Sequence, residues 1–387
     1  MLKKITGRSM LSLKPPKGQM KRRDFLKCAG AGVAAMAAPG WLGRSTANAA
    51  EQATKPNIIF ILADDLGLGN VGAYGGPFKT PNIDALAREG LRFSQCYSLP
   101  VCGPSRCLAL TGRYPFRTGL IDNSTWKTGD FSPVDPKRDT MIQTVMKQAG
   151  YVTACVGKWG QICWGPGEWG FDEYLRDRLY ADNIDYMDKL VGQLMAELDR
   201  LHLREKTLVI FSGDNGTDRK LAAVSTVNGR PINGAKLTME EGGSRVPLIA
   251  NWPGVVPAGK VLNDLVDFSD FFPTFADLGG AKLPAGVKLD GHSFAPHLRG
   301  GKGSPRDWVF VQMNNRGSST KAHWYVRNQG FKLNEQGELF DMAEAPFVEK
   351  KITNEAERIK LQAVLDELDP GSWTKTRPSM PAAPAKP

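Results

Sequence analysis

Two apolar runs, each followed by a pair of oxygen-bearing side chains, constrain the fold of this chain more than any other feature. The runs and their pairs are residues 56–63 with Asp64 and Asp65, and residues 207–212 with Asp214 and Asn215. Apolar runs without alternation are typical of central strands in a parallel sheet that helices cover on both faces. Ligands of such sheets bind beyond the carboxyl ends of the strands, so the sequence predicts both pairs at one functional edge.

Segments with helical apolar spacing alternate with strand-like segments as far as residue 300. The predicted helices are 81–90, about 140–150 and 182–201, and the further predicted strands are 151–156 and 246–250. This alternation predicts an α/β fold with a doubly wound, mostly parallel sheet sandwiched by helices. We assign this larger domain to residues 55–300.

Beyond residue 300 the strand-like segments become shorter. They are 308–312, 323–327 and 331–333, and a predicted helix at 353–368 follows them. Residues 301–370 are therefore predicted to form a smaller C-terminal α+β subdomain. The tail 371–387 is rich in Pro, Ala and Lys, and we expect it to be disordered.

The excess positive charge lies almost entirely in the first 50 residues. The chain has a formal net charge of +10, from 50 Lys and Arg against 40 Asp and Glu. Ten of the basic residues and one acidic residue, Asp24, precede residue 51, which leaves 40 basic and 39 acidic residues after it. The body of the protein is thus nearly neutral, and we predict that nucleic acid is not a partner.

Residues 1–49 have the features of an export signal. Arg22 and Arg23 precede a short, weakly apolar run, and small residues at Ala47 and Ala49 mark a cleavage site. The run is too short to span a bilayer, so we expect no transmembrane anchor. Arg-Arg-Asp-Phe-Leu-Lys is similar to the bacterial twin-arginine signal, which predicts a periplasmic or secreted protein.

The cysteines that remain after cleavage are odd in number. They are Cys96, Cys102, Cys107, Cys155 and Cys163. An odd count in an exported protein leaves at least one thiol unpaired, and the spacings form no Cys-x-x-Cys zinc or redox pattern. An unpaired cysteine in such a protein therefore needs a chemical reason.

The two strand-end pairs together offer three carboxylates and one amide oxygen. This hard, all-oxygen set suits Ca²⁺ or Mg²⁺ rather than zinc. A single pair of this kind also occurs as a cap of a strand-to-helix turn. Two pairs at the ends of two predicted central strands favour a metal site at Asp64, Asp65, Asp214 and Asn215.

Between these pairs lies a motif that resembles the signature of the sulfatase family, within the alkaline phosphatase superfamily. The motif is Cys102-Gly-Pro-Ser-Arg106, followed by Thr-Gly-Arg at 111–113. Further blocks similar to the family, in family order, are residues 56–67, 80–93, 150–160, 170–174, 207–216, 236–254, 290–300 and 338–342. The resemblance thus extends from about residue 56 to residue 342.

The resemblance implies specific roles for the residues of these blocks. In the family a formylglycine-generating enzyme oxidises the signature cysteine, here Cys102, and the hydrate of the aldehyde is the nucleophile. This would account for an unpaired cysteine. The two strand-end pairs would hold a divalent ion, usually Ca²⁺. Arg106 would stabilise the hydrate, Lys158 and Lys236 would contact the sulfate oxygens, and Lys236 is the candidate proton donor to the leaving alcohol.

Two departures from the family pattern concern histidines. The family block Gly-Lys-Trp-His here ends in Gly160, and the missing histidine ordinarily accepts the proton when sulfate is eliminated. The long family insert after Gly-Phe-Asp-Glu, which carries a second histidine, is absent. Of the four histidines, His202, His292 and His297 are predicted to be structural or non-catalytic, whereas a loop carrying His323 would have reach to the pocket. We therefore expect slow release of sulfate from the enzyme.

The sequence favours an exported sulfuric ester hydrolase that acts on a sulfated carbohydrate or an aryl sulfate. A phosphoesterase of the same superfamily would use a similar site. A catalytically impaired homologue that binds sulfated glycans would keep recognition without turnover. A deletion artefact in the assignment of the coding sequence would also account for the short central region.

Overall fold

The computed structural model describes residues 55–123, 133–160, 162, 164–175, 184–314 and 322–371. Its strands are β1 (Asn57–Ala63), β2 (Leu91–Tyr97), β3 (Ala154–Val156), β4 (Glu173–Leu175), β5 (Thr207–Gly213), β6 (Thr226–Val227), β7 (Arg230–Pro231), β8 (Arg245–Asn251), β9 (Lys260–Asp267), β10 (Val309–Asn314), β11 (Ala322–Arg327), β12 (Phe331–Asn334), β13 (Leu339–Asp341) and β14 (Lys350–Ile352). Its α-helices are α1 (Pro81–Arg88), α2 (Cys102–Thr111), α3 (Pro115–Thr118), α4 (Ile142–Gln148), α5 (Ile184–Arg200), α6 (Arg219–Ala222), α7 (Glu241–Ser244), α8 (Phe271–Gly279), α9 (Ala295–Leu298) and α10 (Glu355–Leu368). The predicted leader 1–49 lies outside the described residues, as does the predicted tail apart from Gly371.

The central sheet has five strands in the order β1-β5-β8-β2-β9. β1 pairs parallel with β5, β2 pairs parallel with β9, and β8 runs antiparallel to both of its neighbours. Four of the five strands therefore point the same way, which confirms the predicted mostly parallel sheet.

Helices cover both faces of this sheet. Along β5, Leu208 and Ile210 face one apolar core, which includes residues of α2, α4 and α8. Val209 and Phe211 face a second core, which includes residues of α1 and α5. Because side chains of a strand point alternately to opposite faces, a strand buried on both faces must be apolar throughout. This explains the unbroken apolar run at 207–212.

One predicted strand lies outside the central sheet. Only Ala154–Val156 of the segment 151–156 is a strand, and it pairs with β4 in a separate two-stranded sheet. Val152 is 81% exposed and Val156 is 45% exposed, so the apolar character of this segment does not reflect burial. The place beside β8 in the central sheet is taken by β2, which the sequence did not indicate because a bulge between Phe93 and Cys96 breaks its alternation.

The C-terminal part is a five-stranded antiparallel sheet, β10 to β14 in sequential order, with α10 against it. Its first three strands match the predicted segments within a few residues, and an α+β subdomain is confirmed. Phe310 of β10 packs on Tyr114 and Phe116, which follow α2. The C-terminal sheet thus shares its core with the larger part of the protein. The domain boundary at residue 300 remains a prediction.

A buried charge cluster also joins the two parts. Glu241 of α7 accepts hydrogen bonds from Arg327 of β11 at 2.8 Å, from Arg245 at 3.0 Å and from the Tyr97 hydroxyl at 2.8 Å. Burial raises the pKa of Glu241, but the charges of Arg327 and Arg245 outweigh burial and lower it to about 2. Glu241 is thus an ionised carboxylate that holds the C-terminal sheet against the segment following Lys236.

Candidate active site

The two strand-end pairs lie side by side, as the sequence predicted. β1 and β5 pair in register up to Ala63 and Gly213, so Asp64 and Asp214 follow directly opposed residues. The backbone N–H of Asp65 donates to Asp214 Oδ1 at 3.0 Å, and Asn215 Nδ2 donates to Asp65 Oδ1 at 3.0 Å. The four side chains therefore form one cluster at the carboxyl edge of the sheet.

Close backbone packing around the second pair requires glycine on either side of it. A Cβ at Gly213 would lie 1.9 Å from the Leu66 carbonyl oxygen, and one at Gly216 would lie 1.8 Å from the Gly242 carbonyl oxygen. No side chain fits at either distance. The Gly-Asp-Asn-Gly sequence thus allows the two strand-end loops to meet closely enough for their side chains to share a site.

Cys102 is the first residue of α2 and is buried. The Ser105 hydroxyl donates to the Leu99 and Val101 carbonyls at 2.9 Å each and fixes the turn before the helix. Pro104 lies in the first turn, where a missing backbone N–H costs no helical hydrogen bond. The Pro-Ser of the signature therefore shapes the turn that carries Cys102. Its Sγ lies with one oxygen each of Asp64 and Asp214, all within 4.8 Å of one another.

Arg106 lies one turn further along α2 and is almost fully buried. Its Nε donates to Asp214 Oδ2 at 2.8 Å, and its NH1 donates to the Lys158 carbonyl oxygen at 2.9 Å. Its NH2 lies 3.8 Å from Asp64 Oδ1. The guanidinium thus positions both carboxylates and the backbone of the segment 157–160.

The two predicted lysines face the first strand-end pair. Lys158 Nζ lies 2.5 Å from Asp64 Oδ1. Lys236 Nζ donates to both oxygens of Asp65, at 2.6 and 2.5 Å. Burial lowers the pKa of Lys236, but its hydrogen bond and charge contact with Asp65 outweigh burial and raise it. Both lysines are therefore ammonium groups beside the strand-end carboxylates.

Burial sets the protonation of the carboxylates. Asp214 is completely buried, and burial raises its pKa to about 6, with the Arg106 charge opposing the shift. Burial also raises the pKa of Asp64, but its hydrogen bond and charge contact with Lys158 outweigh burial and lower it. Asp64 therefore ionises more readily than Asp214. The negative charge of Asp214 is opposed by its complete burial and favoured by Arg106.

The donor atoms of this cluster fit a hard divalent cation. Asn215 Nδ2 donates to Asp65 and to the Gly216 carbonyl oxygen, whereas Asn215 Oδ1 is buried and accepts no hydrogen bond in the described part of the chain. Buried polar atoms are nearly always satisfied, so an exception needs an explanation. An amide oxygen among three carboxylates matches the oxygen ligands of Ca²⁺ or Mg²⁺.

The backbone at Gly160 is left-handed and lies against Arg106. Its φ is +87°, and a Cβ built on it would lie 3.1 Å from Arg106 Cδ. Residue 160 is therefore part of this site. His323 lies on β11, with its Nδ1 2.7 Å from Glu335 Oε1. That a loop carries its side chain to the pocket stays a prediction.

All eight predicted side chains lie in this cluster, and the structure adds a ninth that the sequence did not indicate. Asn123 Nδ2 donates to Cys102 Sγ at 3.2 Å. Asn123 lies between the blocks that resemble the family, 21 positions after Cys102. A lone asparagine at this separation carries no sequence signal, because only the fold brings it back to the start of α2.

Three sequence profiles match this chain. The sequence profile of the family described as Sulfatase matches residues 56–178 and 176–281. A profile described as N-sulphoglucosamine sulphohydrolase, C-terminal, matches residues 235–369. A profile of the twin-arginine translocation pathway signal matches residues 19–39. Within the described residues, no helix is long and apolar enough to cross a membrane.

Individual relatives agree with the family profile. The N-acetylgalactosamine-6-sulfatase of Canis lupus familiaris is 28% identical, and the match covers 78% of this chain and 78% of that protein. The arylsulfatase A of Homo sapiens is 29% identical, with 71% of this chain and 74% of that protein covered.

Solved structures show the same fold. The PsFucS1 sulfatase from Pseudoalteromonas sp. matches with a TM-score of 0.68 and 22% identity, over 94% of this chain and 98% of that chain. The complex of Ps i-CgsB with k-i-k-neocarrahexaose matches with a TM-score of 0.71 and 24% identity, over 84% of this chain and 94% of that chain.

The sulfatase profile covers more than half of the chain, and its matched residues include all eight side chains predicted for the site. The signal match assigns the chain to the twin-arginine export route, so the protein is periplasmic or secreted. From its profile, its fold and its relatives, we conclude that this chain belongs to the sulfatase family and is an exported sulfuric ester hydrolase.

Proposed function

We propose that this sulfatase cleaves a sulfate ester of a carbohydrate with a formylglycine formed from Cys102 and a divalent cation, Ca²⁺ in the first instance and Mg²⁺ as the alternative. The observation that carries the proposal is the position of Cys102 Sγ, within 4.8 Å of an oxygen each of Asp64 and Asp214. The sulfur occupies the place that the formylglycine oxygens would take. A nucleophile beside hard oxygen ligands suits metal-assisted displacement at an anionic centre.

The residues that would hold the cation are the two strand-end pairs, including the unpartnered Asn215 Oδ1. A bound cation supplies positive charge that polarises an oxygen of the sulfuryl group. The carboxylates of Asp64 and Asp65 now pair with Lys158 and Lys236. Because a cation would share these carboxylates, both ammonium groups would become available to the substrate.

Asp214 is the residue we assign to deprotonating the nucleophile. The hydrate of a formylglycine at residue 102 would supply the hydroxyl that attacks sulfur. Asp214 lies within reach of this position, and its Oδ2 accepts the Arg106 Nε hydrogen bond at 2.8 Å. Arg106 therefore keeps the carboxylate aimed at residue 102 while it takes the proton.

The two lysines would act on the transferred group and the leaving alcohol. The side chains of Lys158 and Lys236 are 36% and 18% exposed, so both lie where a substrate enters. Their charges would offset the negative charge of the sulfuryl oxygens. Lys236 would donate a proton to the leaving alcohol, a role worth about 10²–10⁴-fold in rate.

Gly160 would make the release of sulfate slow. Glycine has no side chain that accepts a proton, and it stands where family members carry histidine. We therefore expect a burst of alcohol release in the first turnover, followed by a low steady-state rate.

A sulfated carbohydrate is the substrate class that the relatives support. The mammalian relatives are described as N-acetylgalactosamine-6-sulfatases, and the C-terminal profile as N-sulphoglucosamine sulphohydrolase. Aryl sulfates are the simpler members of the class, since arylsulfatase A is another relative. The nearly neutral body of the protein, outside its leader, is consistent with recognition by a local site rather than by overall charge.

The experiment begins with peptide mass spectrometry across residue 102, on protein co-expressed with a formylglycine-generating enzyme. The converted protein is then assayed with 4-nitrophenyl sulfate, 4-nitrophenyl phosphate and sulfated mono- and oligosaccharides. Cys102→Ala is the control for turnover at this site. A second sulfatase expressed in the same cells is the control for conversion.

We expect an aldehyde at residue 102 and release of sulfate by the converted protein. The Cys102→Ala variant should release none. An unmodified thiol, with the control sulfatase converted, would overturn the formylglycine mechanism and favour a sulfated-glycan binder. Faster turnover of the phosphate ester would favour a phosphoesterase.

A further inference from the structure

The side chain of Asn123 contacts α2 through both of its polar atoms. Its Nδ2 donates to Cys102 Sγ at 3.2 Å, and its Oδ1 accepts the backbone N–H of Gly103 at 3.0 Å. Gly103 is the second residue of the helix, where backbone N–H groups have no partner inside the helix. Asn123 therefore combines a bond to the helix end with a bond to the side chain of residue 102.

The Gly103 bond determines which way the amide of Asn123 faces. The two ends of an asparagine amide look alike, and their assignment depends on the partners. Because the Gly103 N–H is a donor, only Asn123 Oδ1 can face it. The NH₂ group must then face residue 102. The donor that points at this side chain is thus fixed by the helix itself.

We infer that Asn123 is a positioning residue for the nucleophile of this sulfatase. This inference rests on the proposed function, since it requires an oxygen at residue 102. The Asn123 N–H would donate to one oxygen of the formylglycine, both as the aldehyde and as its hydrate. Asn123 cannot accept a proton through its NH₂ group, so its role is orientation and not proton transfer.

The side chain of residue 102 has both an N–H donor and carboxylates around it. Asp64 and Asp214 lie within 4.8 Å of the residue 102 side chain, and Asn123 Nδ2 contacts that side chain at 3.2 Å. An oxygen held by Asn123 leaves the other hydroxyl to face the carboxylates. Asn123 would therefore select which hydroxyl attacks the sulfur atom.

If the role of Asn123 were purely structural, only its hydrogen bond with Gly103 would matter. Two variants separate this role from the positioning of residue 102. Asn123→Asp keeps an acceptor for the Gly103 N–H but replaces the donor that faces residue 102. Asn123→Ala removes both bonds. Asn354 is the matched control, because it accepts the Glu357 N–H at the start of α10, in the C-terminal part. Asn354→Ala reports the cost of losing a helix-end bond elsewhere, and Asn354→Asp reports the effect of a carboxylate that keeps such a bond.

For wild type and the four variants, the experiment measures the fraction of residue 102 that is converted to formylglycine and the thermal midpoint. It also measures kcat and KM with 4-nitrophenyl sulfate over a range of pH. Rates are divided by the converted fraction. For Asn123→Ala we expect kcat to fall about 10-fold, the scale of one lost hydrogen bond, with KM little changed. Asn123→Asp should keep the wild-type thermal midpoint and lose activity at neutral pH. Its activity relative to wild type should rise on acidification, since a protonated carboxyl can donate; Asn123→Ala should show no such rise.

Wild-type activity of Asn123→Asp at all pH values would overturn the inference and leave the proposed function intact. An Asn123→Ala variant that loses thermal stability but keeps kcat would do the same. Failure of the wild type to convert residue 102 or to turn over would instead overturn the proposed function, and with it the role of Asn123. Activity loss in the Asn354 variants equal to that in the Asn123 variants would also count against a specific role.

Discussion

Arg106 and Asp214 form a buried ion pair that joins the helix carrying Cys102 to the carboxyl end of β5. The Arg106 Nε lies 2.8 Å from Asp214 Oδ2, and Asp214 is completely buried. This contact therefore helps to fix the position of the nucleophile relative to the strand-end pairs, together with the approach of Arg106 to Asp64. The sequence separates these residues by 108 positions.

We expect removal of this pair to destabilise the protein. Arg106→Ala leaves the buried Asp214 carboxylate without its partner, and breaking a buried pair in this way costs about 3–5 kcal/mol. The measurement is the free energy of unfolding in denaturant, in the presence of a chelator. Asp214→Asn is the matched variant. It removes the charge, but its amide oxygen can still accept the Arg106 hydrogen bond, and Asp64 still lies 3.8 Å from the guanidinium, so it should cost less. Equal losses would show that the charge of Asp214 is not the cause.

The unpartnered oxygen of Asn215 predicts stabilisation by a divalent cation. A ligand that binds only the folded state adds about 2.7 kcal/mol to the free energy of unfolding when its concentration is 100 times its dissociation constant. We expect Ca²⁺ to raise the thermal midpoint of the wild type, and Asn215→Ala to lose most of this increase. Differential scanning calorimetry with Ca²⁺, Mg²⁺ or chelator measures it.

Asn251→Ala is the control for the loss of a buried asparagine. Asn251 is equally buried, and its Nδ2 donates to the Leu86 carbonyl oxygen at 3.0 Å. This variant should be less stable with and without Ca²⁺, so its Ca²⁺-dependent increase should match the wild type. An Asn215→Ala variant with a wild-type increase would contradict a cation at this cluster.

The backbone at residue 160 predicts that histidine there does not restore turnover. With φ at +87°, a side chain would be strained by about 1–2 kcal/mol, and its Cβ would lie 3.1 Å from Arg106 Cδ. Gly160→His should therefore displace Arg106 and lower the steady-state rate. A faster steady state in this variant would contradict the prediction and show that the loop adapts.

Gly157 provides the matched control for this strain. Its φ is +90°, and a Cβ built there meets no atom of the described residues within 4 Å. Gly157→Ala and Gly160→Ala should lose similar stability from their backbone, but only Gly160→Ala should lower kcat. Calorimetry and initial-rate measurements on the two variants separate strain from the contact with Arg106.

The sequence pattern alone predicted half of the eight side chains, the two strand-end pairs, because each pair is local to the end of one strand. Asp64 and Asp65 end one apolar run and Asp214 and Asn215 follow another, so a parallel arrangement was enough to bring them together. Lys158 and Lys236 were assigned through the family resemblance alone. Nothing in the spacing of either lysine shows that it would face a carboxylate of the first pair.

The parts that the sequence did not predict depend on contacts between distant segments. Asn123 meets Cys102 only through the path of the chain after α3, and no local pattern encodes that path. The segment 151–156 has strand-like composition, but Val152 and Val156 are exposed because β2 takes the place beside β8. The composition of a segment shows whether it has apolar side chains to bury. Whether they are buried depends on which strands and helices lie beside the segment in the fold.

The charge cluster at Glu241 predicts how stability depends on pH. The folded pKa of Glu241 is about 2, below its ordinary value of 4.5. A lowered pKa contributes stability that is present above pH 4.5 and is lost as pH falls towards 2, here about 3 kcal/mol. The free energy of unfolding of wild type and Glu241→Gln, measured in urea from pH 7 to pH 2.5, should therefore converge as pH falls.

Tyr97→Phe tests the same cluster with a smaller change. It removes the hydrogen bond that the Tyr97 hydroxyl donates to Glu241 Oε2 and the one that it accepts from Arg327. The contacts of Arg245 and Arg327 with Glu241 itself stay in place. Its deficit should shrink with acidification in the same direction as that of Glu241→Gln, but be smaller at neutral pH. Deficits that stay constant from pH 7 to pH 2.5 in both variants would show that the carboxylate is not held ionised by its arginine partners. The C-terminal sheet would then be held to the rest of the protein by apolar contacts such as Phe310 with Tyr114, which do not titrate.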